Sequence, residues 1–316
     1  MLSYFPTPYP DELFYSTITR YHIRSGNLSF NQTLLELLGY LPEQFFNLDL
    51  PNNLEYLVKH LPVASTYRSE FFIKEHTLYP FYRSFLKDPE AWVLKKRMQK
   101  KLGSSIFTIA KVPLPGRDSS SSFLRYCPVC LQQDLERYGE AYWHRMHQVP
   151  GMLICTNHHV MLHESAISVQ EGYLNCHAAD LKNCSIGIDS RTYSNDTVRN
   201  LLAIAQEINW LMRSQFSFQG LQWLRSQYQH NLIKQGFLDI SPSRTFKFYK
   251  ERFVDKLLSF YGEDCLNLIK PGLVNKMKQY SYRCLFACDI EPTIDRVTHI
   301  LLIHFLLKSL KNLFET

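Results

Sequence analysis

Apolar residues in the first 60 positions recur at helical spacing. Leu13, Phe14, Ile18 and Tyr21 fall at three- and four-residue steps, with Asp11 placed to cap a helix that begins there. Ser25-Gly26-Asn27 breaks it. Phe30, Leu34, Leu35, Leu37 and Leu38 predict a second helix that stops at Gly39, and Leu54, Leu57 and Val58 predict a short third one. Two or three helices joined by tight Gly/Asn turns suit a helix-turn-helix, or any other small helical bundle. The run KVPLPGRDSSSS, 111 to 122, reads as a linker, and 183 to 195 as a second soft region. Strong helical periodicity resumes in VRNLLAIAQEINWLM and around Leu221 to Gln235, then from Lys250 to Leu268 and from Val297 to Phe314. No strand-dominated stretch competes. The expected fold is mainly α: an N-terminal helix-turn-helix-like module over 1–112, a cysteine-rich core over 123–190 and a C-terminal helical bundle over 191–316.

With 316 residues, 45% hydrophobic and 20% charged, the chain is long enough to bury a core without disulfide staples. Its N-terminus, MLSYFPTPYPDELFY, has no basic segment followed by an apolar one, so the eight cysteines are expected to be reduced and the protein cytoplasmic. Ile300 to Leu307, the longest apolar run, is interrupted by His304 and falls short of the roughly 20 residues that span a bilayer. No membrane partner is expected.

The net charge of +6 is unevenly spread. Residues 81–117 hold nine Lys/Arg against two Asp/Glu, and 221–316 hold fourteen against nine. Lys95, Lys96, Arg97, Lys100 and Lys101 crowd one stretch, while Arg244, Lys247, Lys250 and Arg252, then Lys276, Lys278 and Arg283, form looser groups. Concentrated cations suit the phosphate backbone of double-stranded DNA, where counterion release favours binding. The same residues also suit a solvated helix face.

The most specific signal is Cys127-Pro-Val-Cys130 followed by Cys155-Thr-Asn-His158. Two pairs, each spaced by two residues, suit tetrahedral zinc: each short turn presents two ligands on one side, and folding joins the turns. Four protein ligands close the coordination sphere, which makes the Zn2+ structural and couples its binding to folding. The zinc deaminase pattern requires His-x-Glu before Pro-Cys-x-x-Cys, whereas here the proline lies inside the pair. A second metal site from His163, Cys176 and Cys184 has irregular spacing and is not expected. His144, His147, His159 and His177 lie nearby without a ligand pattern. Cys265, Cys284 and Cys288 sit among apolar positions and read as small core residues. No GxxxxGK[ST] phosphate loop, GxGxxG, GxSxG or HExxH motif is present. An enzyme is not expected.

The order of these features resembles the TnsD/TniQ family, target-selection proteins of transposons that use a TnsC-type AAA+ regulator. FPTPYPDELFYSTITRYH resembles the family's N-terminal signature, and Glu75-His-Thr-Leu-Tyr-Pro-Phe-Tyr82 a block of the TnsD-like branch. RYCPVC at 125–130, RYGEAYWHRMHQVPGMLIC at 137–155 and His158 resemble its zinc-finger core. FYGEDCLNLI at 260–269 and THILLIHFLL at 298–307 are similar to its C-terminal helices, whereas LVNKMKQYSYRCLFACDIEP reproduces poorly the family's tryptophan and basic run.

The resemblance implies a DNA-targeting adaptor that recruits the TnsC-type ATPase and performs no chemistry itself, with Cys127, Cys130, Cys155 and His158 as zinc ligands. TnsD-like members bind an attachment site directly and generally carry a longer C-terminal extension for doing so. The alternative is a CRISPR-associated TniQ adaptor, tethered to an RNA-guided effector complex.

Overall fold

The computed structural model describes residues 1–42, 46–101, 106–112, 122–185, 192–240, 246–279 and 295–315. Over these the chain is mainly helical, as the periodicity predicts. Helices α1 (Phe14–Ser25) and α2 (Phe30–Leu38) form where expected. Each ends at a glycine in the left-handed region, Gly26 at φ 73° and Gly39 at φ 70°, a conformation that costs any residue with a Cβ. Ser29 caps α2 by accepting the Gln32 N–H. Then follow α3 (Leu54–His60), α4 (Ser69–His76), α5 (Tyr79–Arg83), α6 (Asp88–Gln99) and α7 (Ile106–Ala110).

The predicted cap at Asp11 is not where its side chain goes. Leu13 occupies the N-cap position of α1, without a side-chain cap. Asp11 instead accepts the backbone N–H of Met146 at 3.0 Å and Nε of Arg145 at 3.0 Å, 134 residues away. A carboxylate free to bind a buried guanidinium and the first turn of another helix gains more than one bond to its own helix.

The central segment holds β1 (Phe123–Tyr126), α8 (Pro128–Tyr138), α9 (Arg145–Gln148), β2 (His163–Ser168) and α10 (Val169–Leu174). Strands β1 and β2 pair antiparallel, with Arg125 opposite Glu164 and Tyr126 opposite His163. These short strands, with the hairpin of β3 (Leu238–Ile240) and β4 (Phe246–Phe248), sit within a fold that is mainly α, as expected. All four strands have six residues or fewer, too short for an alternating pattern to stand out.

The N-terminal and central segments share one apolar core. Leu13 N–H donates to the Trp143 carbonyl at 2.8 Å, and Ser16 Oγ accepts the Trp143 N–H at 3.1 Å. Trp143 is fully buried, with its indole N–H on the His177 carbonyl. Tyr9 packs on Tyr138 and Tyr142 with ring centroids 4.2 and 5.0 Å apart, beneath the Arg20 guanidinium. Arg20 also pairs with Glu12 and Glu140, at 2.9 Å each. Burial raises the Glu12 carboxyl above its ordinary range, and Arg20 opposes that rise.

The C-terminal segment runs through α11 (Asn195–Arg213), α12 (Leu221–Lys234), β3, β4, α13 (Lys250–Tyr261), α14 (Glu263–Ile269), α15 (Leu273–Gln279), α16 (Arg296–Leu307) and α17 (Leu310–Phe314). Two helices expected to be continuous are broken. Gly262, at φ 79° and ψ 146°, separates α13 from α14; Lys308, at φ 72°, separates α16 from α17, which Ser309 caps. Helix α16 is apolar nearly all round and sits inside, against α11 and α12, as a helix without a polar face must. At its start the buried Arg296 donates to the carbonyls of Tyr82 and Ala110, tying this bundle to the N-terminal helices. Among the described residues, no helix is long and apolar enough to cross a membrane.

Candidate metal centre

Strand β1 delivers the chain to Cys127, which is the N-cap of α8; its sulfur accepts the Cys130 N–H at 3.5 Å. Pro128 fits the first helical position, where no N–H is needed, and Cys130 follows within that turn. The second pair rides on a hairpin. Leu162 N–H donates to the Leu153 carbonyl and Cys155 N–H to the Val160 carbonyl, and His159, at φ 55°, turns the chain back.

Arg125 joins the two halves. This side chain, only 4% exposed, donates to the carbonyls of Met152 at 2.6 Å and Val149 at 3.0 Å, while Gln148 brackets the Arg125 backbone at both N–H and carbonyl. Burial lowers Arg125 to about 10, and the same environment pushes the Asp49 carboxyl up to about 6.

The result is four donor atoms, from Cys127, Cys130, Cys155 and His158, all within 4.8 Å of one another. His158 Nδ1 lies 3.5 Å from Cys127 Sγ, 3.3 Å from Cys130 Sγ and 3.6 Å from Cys155 Sγ, and the Cys130 and Cys155 sulfurs are 3.8 Å apart. Ligand bonds of about 2.3 Å for sulfur and 2.0 to 2.1 Å for nitrogen put the edges of a regular tetrahedron at about 3.8 Å for S···S and 3.6 Å for S···N. The observed edges match within a few tenths of an ångström, so the donor set fits a tetrahedral cation such as zinc. Gln133 Oε1, 3.0 Å from His158 Nε2, favours the tautomer with its proton there, turning the Nδ1 lone pair toward the sulfurs. Contacts with Cys127 and Cys130 lower the Cys155 thiol, whereas contacts with Cys127 and Cys155, together with burial, raise Cys130.

Two imidazoles passed over in the sequence border this centre. His147 Nε2 is 3.9 Å from Cys130 Sγ, and Cys130, His144 and His147 form a second group of donor atoms within 4.8 Å. His144 contacts Asp134 at 2.8 Å and stacks on Tyr142. The His144-x-x-His147 spacing was the available signal. By contrast, His163, Cys176 and Cys184 do not gather; burial raises both thiols to about 12. Cys265 is buried as expected, and Cys284 and Cys288 lie outside the described residues.

The basic cluster lies along and just beyond α6. Lys95 pairs with Glu70 at 3.5 Å, Lys96 sits over the exposed Trp92 ring at 5.7 Å, and Arg97 is half-buried. Lys100 is exposed at the helix C-cap, and Lys101 sits over the Tyr40 ring at 5.4 Å. In the other group, Lys247 is exposed on β4 and Lys250 Nζ donates to the Lys278 carbonyl at 2.8 Å. Arg244 and Arg283 lie outside the described residues.

Comparison with known proteins places this mainly helical chain. The TniQ family model matches residues 3–162, and a model described as Tn7-like transposition protein D, TnsD, matches residues 204–316. The chain belongs to the TnsD/TniQ family of Tn7-like transposition proteins. It is 34% identical over 154 residues to the transposon Tn7 transposition protein TnsD of Escherichia coli, an alignment covering 49% of this chain and 30% of that relative. The chain thus spans less than a third of that relative's length.

Proposed function

We propose that this protein is a target-selecting adaptor of a Tn7-like transposon: it binds double-stranded DNA at the insertion site and recruits a TnsC-type AAA+ ATPase, without catalysing a reaction. The observation that carries this reading is the succession of a TniQ match over 3–162 and a TnsD match over 204–316 in one chain. The TnsD match favours direct DNA contact over tethering to a CRISPR effector complex.

In this reading Cys127, Cys130, Cys155 and His158 hold one structural zinc ion. Four protein donors leave no position for a substrate or a reactive water, which supports a scaffolding role. The zinc-binding core (123–190) fixes the N-terminal helices (1–112) against it, through Asp11, Trp143 and Arg145. Those helices present the surface for the ATPase, and the C-terminal bundle (191–316) adds DNA contacts. Lys95, Lys96, Arg97, Lys100 and Lys101, with Arg244, Lys247 and Lys250, contact phosphates, which position the protein without reading sequence. The work is done at the nucleoid, in the cytoplasm of a prokaryotic cell.

The test is retention of the transposon's own TnsC-type ATPase on target DNA with and without this chain. The adaptor reading expects retention only with the chain present. Equal loading in its absence would remove the recruiting role.

A further inference from the structure

We propose that His147 is a reserve ligand of the metal centre, placed to bind the metal when His158 lets go. The inference rests on the reading that Cys127, Cys130, Cys155 and His158 hold one zinc ion.

His147 is 4% exposed, on α9, behind the sulfurs. Its Nε2 is 3.9 Å from Cys130 Sγ, close to the 3.6 Å or so between sulfur and nitrogen ligands on one tetrahedral ion. Its other nitrogen, Nδ1, is buried without a hydrogen-bond partner among the described residues. A core position that gained only packing would favour an apolar side chain, because an unpaired buried nitrogen costs stability. The ring is braced: His144 lies against it with centroids 4.7 Å apart, and Asp134 holds His144 at 2.8 Å.

His158 is the more open of the two. It is partly exposed, and its Nε2 contact is to the exposed Gln133. The three sulfurs are common to both arrangements. On exchange the bond from the metal to His158 Nδ1 breaks and one to His147 Nε2 forms, with the His147 proton carried on Nδ1. A neutral imidazole replaces a neutral imidazole, so the charge of the centre is unchanged. Replacing His158 by His147 would bring Nε2 from 3.9 Å to about 3.6 Å from Cys130 Sγ and leave a three-sulfur, one-nitrogen set.

The test is cobalt titration of the full chain, following the visible absorption of tetrahedral Co2+ and competing against a chromophoric chelator. Wild type binds one Co2+. His158→Ala still binds one with tetrahedral absorption, about 10- to 100-fold more weakly. Adding His147→Ala weakens binding at least another 10-fold and abolishes that absorption, and His147→Gln, which keeps an N–H donor of similar size, fails to rescue it. Equal affinity and spectra for His158→Ala with and without His147 would overturn the proposal. Should His158→Ala fail to fold, zinc release from His147→Gln alone decides: release at least 10-fold faster than wild type supports the reserve ligand, and an unchanged rate overturns it. A folded wild-type chain that binds no cobalt would instead overturn the zinc reading beneath it.

Discussion

Asp11 and Arg145 meet across 134 residues of chain, Oδ1 to Nε at 3.0 Å, and the other Asp11 oxygen caps the first turn of α9 through Met146. The Arg145 side chain is 6% exposed and the Asp11 side chain 30%, so this pair is shielded enough to matter. Arg145 also reaches the carbonyls of Lys74 and Thr77. One guanidinium therefore joins the N-terminal segment, α4 and the helix that carries His147. Asp11→Ala is expected to cost about 1 to 3 kcal/mol, by leaving a nearly buried cation short of its partner. Urea unfolding checks this. A double-mutant cycle with Arg145→Ala should show coupling above about 0.5 kcal/mol.

Removal of the metal gives a second prediction. Because the four donors come from two turns held together mainly by Arg125 and the centre itself, chelation should open residues 123–168 to proteolysis while the α11 to α17 bundle resists longer. Cys127→Ser should lower zinc affinity by more than about 100-fold and bring the same protease sensitivity without a chelator. A Cys127→Ser chain that is zinc-loaded and protease-resistant would contradict the structural role.

A third concerns acid. Burial, the largest cause at each, lowers His76, His299 and His304 to about 4 from an ordinary 6.5. His299 Nδ1 meets the Tyr228 hydroxyl at 2.9 Å and His304 Nδ1 the Tyr261 hydroxyl at 2.8 Å. Between pH 6.5 and 4 the unfolded chain takes up protons that the folded chain excludes. Stability is therefore full above 6.5 and falls as pH drops through this window. The loss from His299 alone is on the order of 3 kcal/mol by pH 4. Unfolding free energies at pH 7, 6 and 5 should show the decline. Since release of a bound metal would add to it, the clean comparison is His299→Gln, which should reduce the slope by close to one proton.

A fourth concerns the basic cluster. Lys95 is partly engaged by Glu70, while Lys96, Arg97, Lys100 and Lys101 have no ion pair among the described residues. Neutralising these last four should leave stability within about 0.5 kcal/mol, as surface changes usually do. It should reduce the slope of log affinity against log salt by about 0.9 for each phosphate that the protein no longer neutralises. An unchanged slope would take this face of α6 out of the DNA interface.

Much of this arrangement is legible in the sequence where the physics is local. Gly26 and Gly39 end α1 and α2 because left-handed backbone favours glycine, and the two-residue spacing in each Cys/His pair foreshadows the donor cluster. What escapes is decided by distant partners. Asp11 looks like a cap until Arg145 arrives from 134 residues on. Arg125 is a buried clamp, because Val149 and Met152 offer carbonyls that no pattern announces. Lys308 breaks a helix in a conformation unusual for lysine, where Ser309 supplies the next cap. His147 sits one helical turn after His144, yet its place beside Cys130 depends on how α9 packs against α8.

The measurement that tests the adaptor reading most directly is selection of bound duplexes from a randomised DNA library by the zinc-loaded chain, at about 0.15 M salt to suppress weak nonspecific contacts. Direct target selection predicts enrichment of one sequence motif, lost in Cys127→Ser and weakened without change of motif when the 95–101 cluster is neutralised. Recovery of unenriched DNA, with only weak and salt-sensitive binding, would contradict it and assign specificity to a partner.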